Sequence, residues 1–145
     1  MNYLERLKPL ALLLLRAALG IVFMTHGWPK LFGQNAGMQQ FFAEHGLPAS
    51  FVYLTGVLEL FGGGLLILGL FTRPVAFLLA IEMGVAIWKV HLLKGYLAVR
   101  EYEFPLVLFT ACFVLATIGA GFLSIDQPLF GGQKSGSRSS KKKAE

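Results

Sequence analysis

Residues 51–74, FVYLTGVLELFGGGLLILGLFTRP, decide the fold. The run is long enough to cross a bilayer and carries a single acid, Glu59, near its middle. A lone carboxylate at bilayer depth is costly, so it should face protein or water rather than lipid. Gly62, Gly63 and Gly64 follow almost at once, and glycines let a neighbouring helix approach closely. The run stops at Thr72-Arg73-Pro74, where a cation meets the membrane surface and a proline opens the next helix.

The rest of the chain repeats the pattern. Apolar residues make up 55% of 145 residues, with a mean hydropathy of +0.63. A bilayer core of about 30 Å takes about 20 apolar residues per helix. Four apolar runs, at residues 10–32, 49–71, 74–93 and 101–123, therefore use most of the chain. The expected fold is all-α: a four-transmembrane-helix bundle in one membrane domain, residues 1–130. A signal peptide is excluded as the reading of residues 10–32, because Arg16 interrupts the run and no small-x-small cleavage site follows.

The first span has a face. Arg16, Gly20, Phe23, Gly27 and Lys30 recur at spacings of four and three, so they share one side and should look into the bundle. Pro29 should kink or end this helix. Residues 33–47 contain no lysine or arginine, and Met38, Phe41, Phe42 and His45 fall on one side of a short helix. That segment should lie at the membrane surface, between the first and second spans. In the fourth span, Glu103, Val107, Thr110, Val114, Thr117 and Gly121 form a stripe that reads as its packing face.

The net charge of +5 is concentrated at one end, with Lys134, Arg138, Lys141, Lys142 and Lys143 in the last dozen positions. Residues 131–145 read as a disordered basic tail that faces anionic lipid. No nucleic-acid-binding module accompanies it. Arg6, Lys8, Arg73 and the tail fall on one side of the membrane, against Lys94 and Arg100 in loops on the other. That bias puts both termini in the cytoplasm of a bacterial-type inner membrane. The single cysteine, Cys112, lies in an apolar run and excludes an internal disulfide or a CxxC motif. It reads as a small packing residue.

Two groups of polar residues remain. Counted from the cytoplasmic side, Arg16 and Glu82 lie at similar depth, which predicts a structural ion pair. Towards the outer side gather His26, Lys30, Lys89, His91, Glu101 and Glu103, with Glu59 deeper and without a partner at its depth. Taken singly, several of these read as interfacial anchors. Together they outline a pocket for a quinone-like head group, in which histidine and carboxylate side chains can move protons. Haem held by His26 and His91 is a weaker alternative, and a copper or zinc site weaker still. Trp28 and Trp88 read as belt residues at the outer boundary.

The motifs also resemble the DoxX family of small membrane proteins. The likeness rests on His26-Gly27-Trp28-Pro29-Lys30-Leu31, Phe42 with Gly46-Leu47-Pro48, Glu59-Leu60-Phe61-Gly62-Gly63, Gly69-Leu70-Phe71-Thr72-Arg73, and Gly119-Ala120-Gly121 with Ser124-Ile125-Asp126. It implies a compact four-helix membrane bundle and an association with redox work. Some relatives are subunits of a thiosulfate:quinone oxidoreductase, and others are linked to oxidative stress. The family's patterned polar positions fall on Lys30, Glu59, Arg73 and Asp126. For Arg73 and Asp126 the plainer reading is a helix-end cap and a topology anchor. Three functions follow as expectations: a quinone-linked redox subunit, a non-enzymatic scaffold for a soluble oxidoreductase partner, or a small-solute transporter, which four spans would form only as a homo-oligomer.

Overall fold

A computed structural model describes residues 2–91 and 99–131, and among them the structure is entirely helical. The Lys94 loop and the basic tail from residue 132 lie outside the described residues, as do the side chains of His91 and Glu101. The order is α1 (Asn2–Phe32), α2 (Ala36–Glu44), α3 (Phe51–Leu68), α4 (Thr72–Ala86) running into a π-helical turn (Ile87–His91), α5 (Val99–Ile118) and a short α6 (Asp126–Phe130).

Two described helices, Tyr3–Phe32 and Phe51–Leu68, are long and apolar enough to cross a membrane, and Tyr102–Ile118 is a shorter apolar helix. The bundle also wears its apolar residues outside. Ile21, Phe61, Phe77 and Phe113 are each more than half exposed, while Arg16 and Glu59 are buried. Exposed apolar surface of this extent suits a lipid-facing exterior.

Local chemistry sets the helix ends. α1 begins at Asn2, well before residue 10, and passes through both Pro9 and Pro29. Pro29 therefore neither ends the helix nor stops its packing. The end comes at Gly33, whose N–H reaches the Pro29 carbonyl at 2.9 Å. Asn35 Nδ2 then donates to the Lys30 carbonyl at 2.5 Å, filling one of the acceptors a helix C-terminus leaves open. α3 closes on Gly69, in the left-handed region at φ 69°. The Gly69 and Leu70 amides turn back to the carbonyls of Leu66 and Leu65, a Schellman closure that glycine makes without strain. α5 stops at Ile118, short of residue 123, because Gly119 takes φ 91°.

Close backbone approach builds the first half of the bundle. α1 runs antiparallel to α3, with Gly20 against Gly63 and Gly27 against Gly56 and Leu60. A Cβ on Gly63 would stand 2.7 Å from the Gly20 carbonyl oxygen. Between helices in lipid there is no hydrophobic drive, so such small-residue contacts carry the association. The expected face of α1 is observed: Arg16, Gly20, Phe23 and Gly27 are all buried.

α4 packs along α5, and the two pairs meet over Leu19, Phe23, Leu66, Leu79, Cys112 and Leu115. Here the expectation for the fourth span fails. The buried face of α5 carries Leu108, Cys112 and Leu115, while Glu103, Val107, Thr110, Val114 and Thr117 face outward. The physical reason lies in the threonines. Thr110 Oγ1 donates to its own helix at Leu106 and Val107 (3.1 and 3.0 Å), and Thr117 Oγ1 does the same at Phe113 and Val114. A hydroxyl satisfied within its own helix does not need a protein neighbour.

Candidate functional site

The charged residues inside the bundle form two groups. The first ties helix ends together. Arg16, 1% exposed, donates from Nη1 to the Ala120 carbonyl at 3.0 Å and from Nη2 to the Leu123 carbonyl at 2.5 Å. Arg73 Nη2 donates to the Ile118 carbonyl at 3.2 Å. Arg73 thus sits where α5 leaves a carbonyl open, and Arg16 ties down the segment that follows α5. Asp126 does the reverse for α4. Its two carboxylate oxygens accept from the amides of Phe71 (2.7 Å) and Thr72 (2.9 Å), at the positive end of that helix. Phe71 itself is held at φ 51°.

The expected Arg16–Glu82 ion pair is therefore not formed. Arg16 takes backbone carbonyls instead, and Glu82 joins the second group. Depth counted from assumed span ends misplaced both residues, because α1 and α4 begin elsewhere.

The second group is a triad supplied by three helices. Lys30 Nζ of α1 lies 2.6 Å from a Glu59 oxygen of α3 and 3.8 Å from a Glu82 oxygen of α4. The side chains are 14%, 4% and 10% exposed. Glu59, expected to lack a partner at its depth, is thus paired. The Lys30–Glu59 contact is off the line of a hydrogen bond, so charge attraction holds it. Glu82 Oε2 is buried without a hydrogen-bond partner.

Charge counting says what such a site can do. Two carboxylates and one ammonium would leave a net negative charge inside the bundle, which is costly. A proton or a hydrogen-bond donor brought to the triad would reduce that cost.

The triad opens into a cleft of about 370 Å³ between α2, α3 and α4, within the size range of small-molecule sites. Lys30 and Glu82 form its polar floor. Phe41, Phe42 and Leu47 wall it from the α2 side, with Leu54, Leu78 and Ile81 opposite. Val90, on the π-helical turn, also reaches it. A larger cavity of about 620 Å³ lies at the Arg73–Asp126 end. Its charged groups already serve helix termini, so we place the candidate site in the smaller cleft.

The other expected site residues are not brought to the triad. His26 is exposed, with Nδ1 against the Val22 carbonyl at 2.8 Å and its ring 5.6 Å from that of Phe104. Lys89 Nζ sits 5.1 Å over the Trp88 ring. Glu103 is exposed on the outer side of α5. Among the described residues, no three His, Cys, Asp or Glu side chains gather as a metal site would need, and His91, the second haem candidate, lies where side chains are not described. Glu82 is the functional residue that sequence reasoning assigned to the wrong partner. Gly20 and Gly27 share the spacing of Gly56 and Gly63, which matches α1 and α3 in antiparallel register, but that register sets the Cβ of Lys30 against Gly56 and does not mark Glu59 or Glu82 as its partners.

A fold in which apolar side chains face out and charges pair inside defines a membrane protein of helical-bundle type. The chain belongs to the DoxX family, whose model matches residues 11–92. It is 39% identical over 124 residues to the Bacillus subtilis protein named "Putative oxidoreductase CatD", covering 86% of this chain and 90% of that one. It is 34% identical over 131 residues to the Escherichia coli inner membrane protein YqjF, covering 87% and 97%. A shorter match, 36% over 73 residues and about half of each chain, joins it to the E. coli inner membrane protein YphA. No solved structure matches it.

Proposed function

We propose that this protein is a quinone-linked subunit of the bacterial inner membrane, and that the Lys30–Glu82 cleft takes the ring. The observation that carries the reading is the orphaned Glu82 Oε2, buried beside an ammonium at the floor of an apolar cleft. An ammonium has three protons to give, and Glu59 makes the only close contact to this one. One quinone carbonyl would accept from Lys30 Nζ and the other from a proton carried at Glu82 Oε2, to which the quinol hydroxyl would later donate. Glu59 positions Lys30. Reduction of a quinone to the quinol takes up two electrons and two protons. Glu82 would pass one proton, water would supply the second, and a partner oxidoreductase would supply the electrons. The name of the CatD relative supports a redox role.

The topology belongs to the same proposal. Four spans, with the segment Thr72–His91 as the third, would put both termini in the cytoplasm and the triad in the outer half. The inner-membrane names of YqjF and YphA support the location, and the basic residues support the orientation.

The test is quinone binding to the protein in lipid nanodiscs, counted above empty discs of the same lipid. Losing a hydrogen bond to a charged group costs about 1.5–3 kcal/mol, so Lys30→Met and Glu82→Gln should each weaken binding by about tenfold or more. Wild-type protein that retains no quinone would end this reading and favour a scaffold for a soluble oxidoreductase.

A further inference from the structure

The walls of the cleft are also the outside of the bundle. Leu54, Leu78 and Ile81 line it, yet they are 59%, 49% and 47% exposed. Side chains of a closed cavity would be covered. These three belong to the outer sides of α3 and α4, so the mouth opens sideways towards hydrocarbon. The charged lining residues, Lys30 and Glu82, are covered, and the hydroxyl of half-buried Thr55 is spent on the Val52 carbonyl of its own helix.

From this we infer that the ligand is a bilayer-dissolved amphiphile with an uncharged ring head on Lys30 and Glu82 and a hydrocarbon tail that leaves between α3 and α4 into the lipid. The inference rests on the ring-binding reading above and names its substrate class. The cleft volume of about 370 Å³ accommodates a substituted ring but not a ring with a long tail coiled beside it. A tailed ligand must therefore extend through the mouth.

The floor sets the charge of the head. An anionic head, such as a phosphate or a carboxylate, would meet two carboxyl groups set against one ammonium. A cationic head could offset the second carboxyl group only by standing beside the Lys30 ammonium, which lies 3.8 Å from the Glu82 oxygen. A neutral head with a carbonyl or hydroxyl meets neither penalty, and it supplies the partner that Glu82 Oε2 lacks.

The experiment compares benzoquinones that share one ring and differ in alkyl tail, loaded into phosphatidylcholine nanodiscs at equal mole fraction in the lipid. A tail that stays in lipid when the ring binds adds no cost, so occupancy in the wild type should not depend on tail length. Ile81→Trp fills the mouth. It should lower occupancy by the tailed quinone about tenfold more than occupancy by the tail-less ring, and an equal loss for both would overturn the exit at this mouth.

Occupancy that falls as the tail lengthens in the wild type would overturn the sideways opening while leaving the ring site standing. The wild-type tail series decides this even if Ile81→Trp does not fold. Displacement of the quinone by an alkyl trimethylammonium or an alkyl carboxylate of the same tail would overturn the uncharged head. Failure of every ring to bind would remove the ring-binding reading itself.

Discussion

The bundle holds charge at two levels, and the levels are built differently. At one, buried Arg16, half-buried Asp126 and exposed Arg73 each bond to backbone groups near helix ends. Some atoms there lack hydrogen-bond partners, Arg16 Nε and Thr72 Oγ1 among them, but each charged group has a backbone partner. At the other level, one ammonium meets two carboxyl groups on three different helices. The first arrangement serves the fold. The second leaves a carboxyl oxygen without a partner, and an apolar cleft leads to it. Buried charge is thus a poor guide to function until the charges around it are counted.

The sharpest way to break this comparison is Arg16→Ala. It leaves the Ala120 and Leu123 carbonyls without their donors and removes the cation that ties down the segment after α5. By analogy with breaking a buried charge pair, we expect a loss of about 3–5 kcal/mol, read as a lower unfolding midpoint in detergent. Stability near that of the wild type would show that Arg16 is not a structural tie.

Asp126→Ala should cost less, about 1–2 kcal/mol, because it removes a cap from one helix start. Asp126→Asn keeps one acceptor for the Phe71 and Thr72 amides and should fall in between. Thermal unfolding of the three proteins in the same detergent ranks them, and equal midpoints would discard the cap.

At the triad the order reverses, with small effects on stability and large ones on binding. Glu82→Gln leaves Lys30 and Glu59 as a neutral pair and keeps the side-chain size, so its unfolding midpoint should move by less than about 1 kcal/mol. Quinone occupancy should nonetheless fall about tenfold, as argued for the lost charged hydrogen bond. A Glu82→Gln protein as unstable as Arg16→Ala would move the triad into the structural class.

The face of α1 was legible because burial in this fold follows charge and smallness, and Arg16, Gly20, Gly27 and Lys30 show both. The short helix after α1 was legible for a related reason: α2 forms where Met38, Phe41 and Phe42 cluster. The partners of Arg16 were not legible. They are backbone carbonyls, which every residue carries, and no side chain at positions 120 and 123 marks them. The Lys30–Glu59 pairing was not legible either: the glycine register sets the Cβ of Lys30 against Gly56, and only the length of the lysine side chain carries its ammonium to Glu59.

α5 was misread for the most general reason, and it offers the finest test. In water, a stripe containing Glu103, Thr110 and Thr117 would be the polar, solvent side. In a membrane helix the same stripe was read as the packing side, because polar groups there usually seek protein. The threonines escape that rule by bonding to their own helix. Thr110→Leu exchanges a self-satisfied hydroxyl for a methyl-rich side chain on an exposed position of an apolar helix, so the unfolding midpoint should shift by no more than about 0.5 kcal/mol. Leu115→Ala, on the buried side, should cost about 2–5 kcal/mol. If instead Thr110→Leu were the costlier change, the outer side of α5 would be covered by protein, and a second copy of the chain would be the first partner to look for by crosslinking in the membrane.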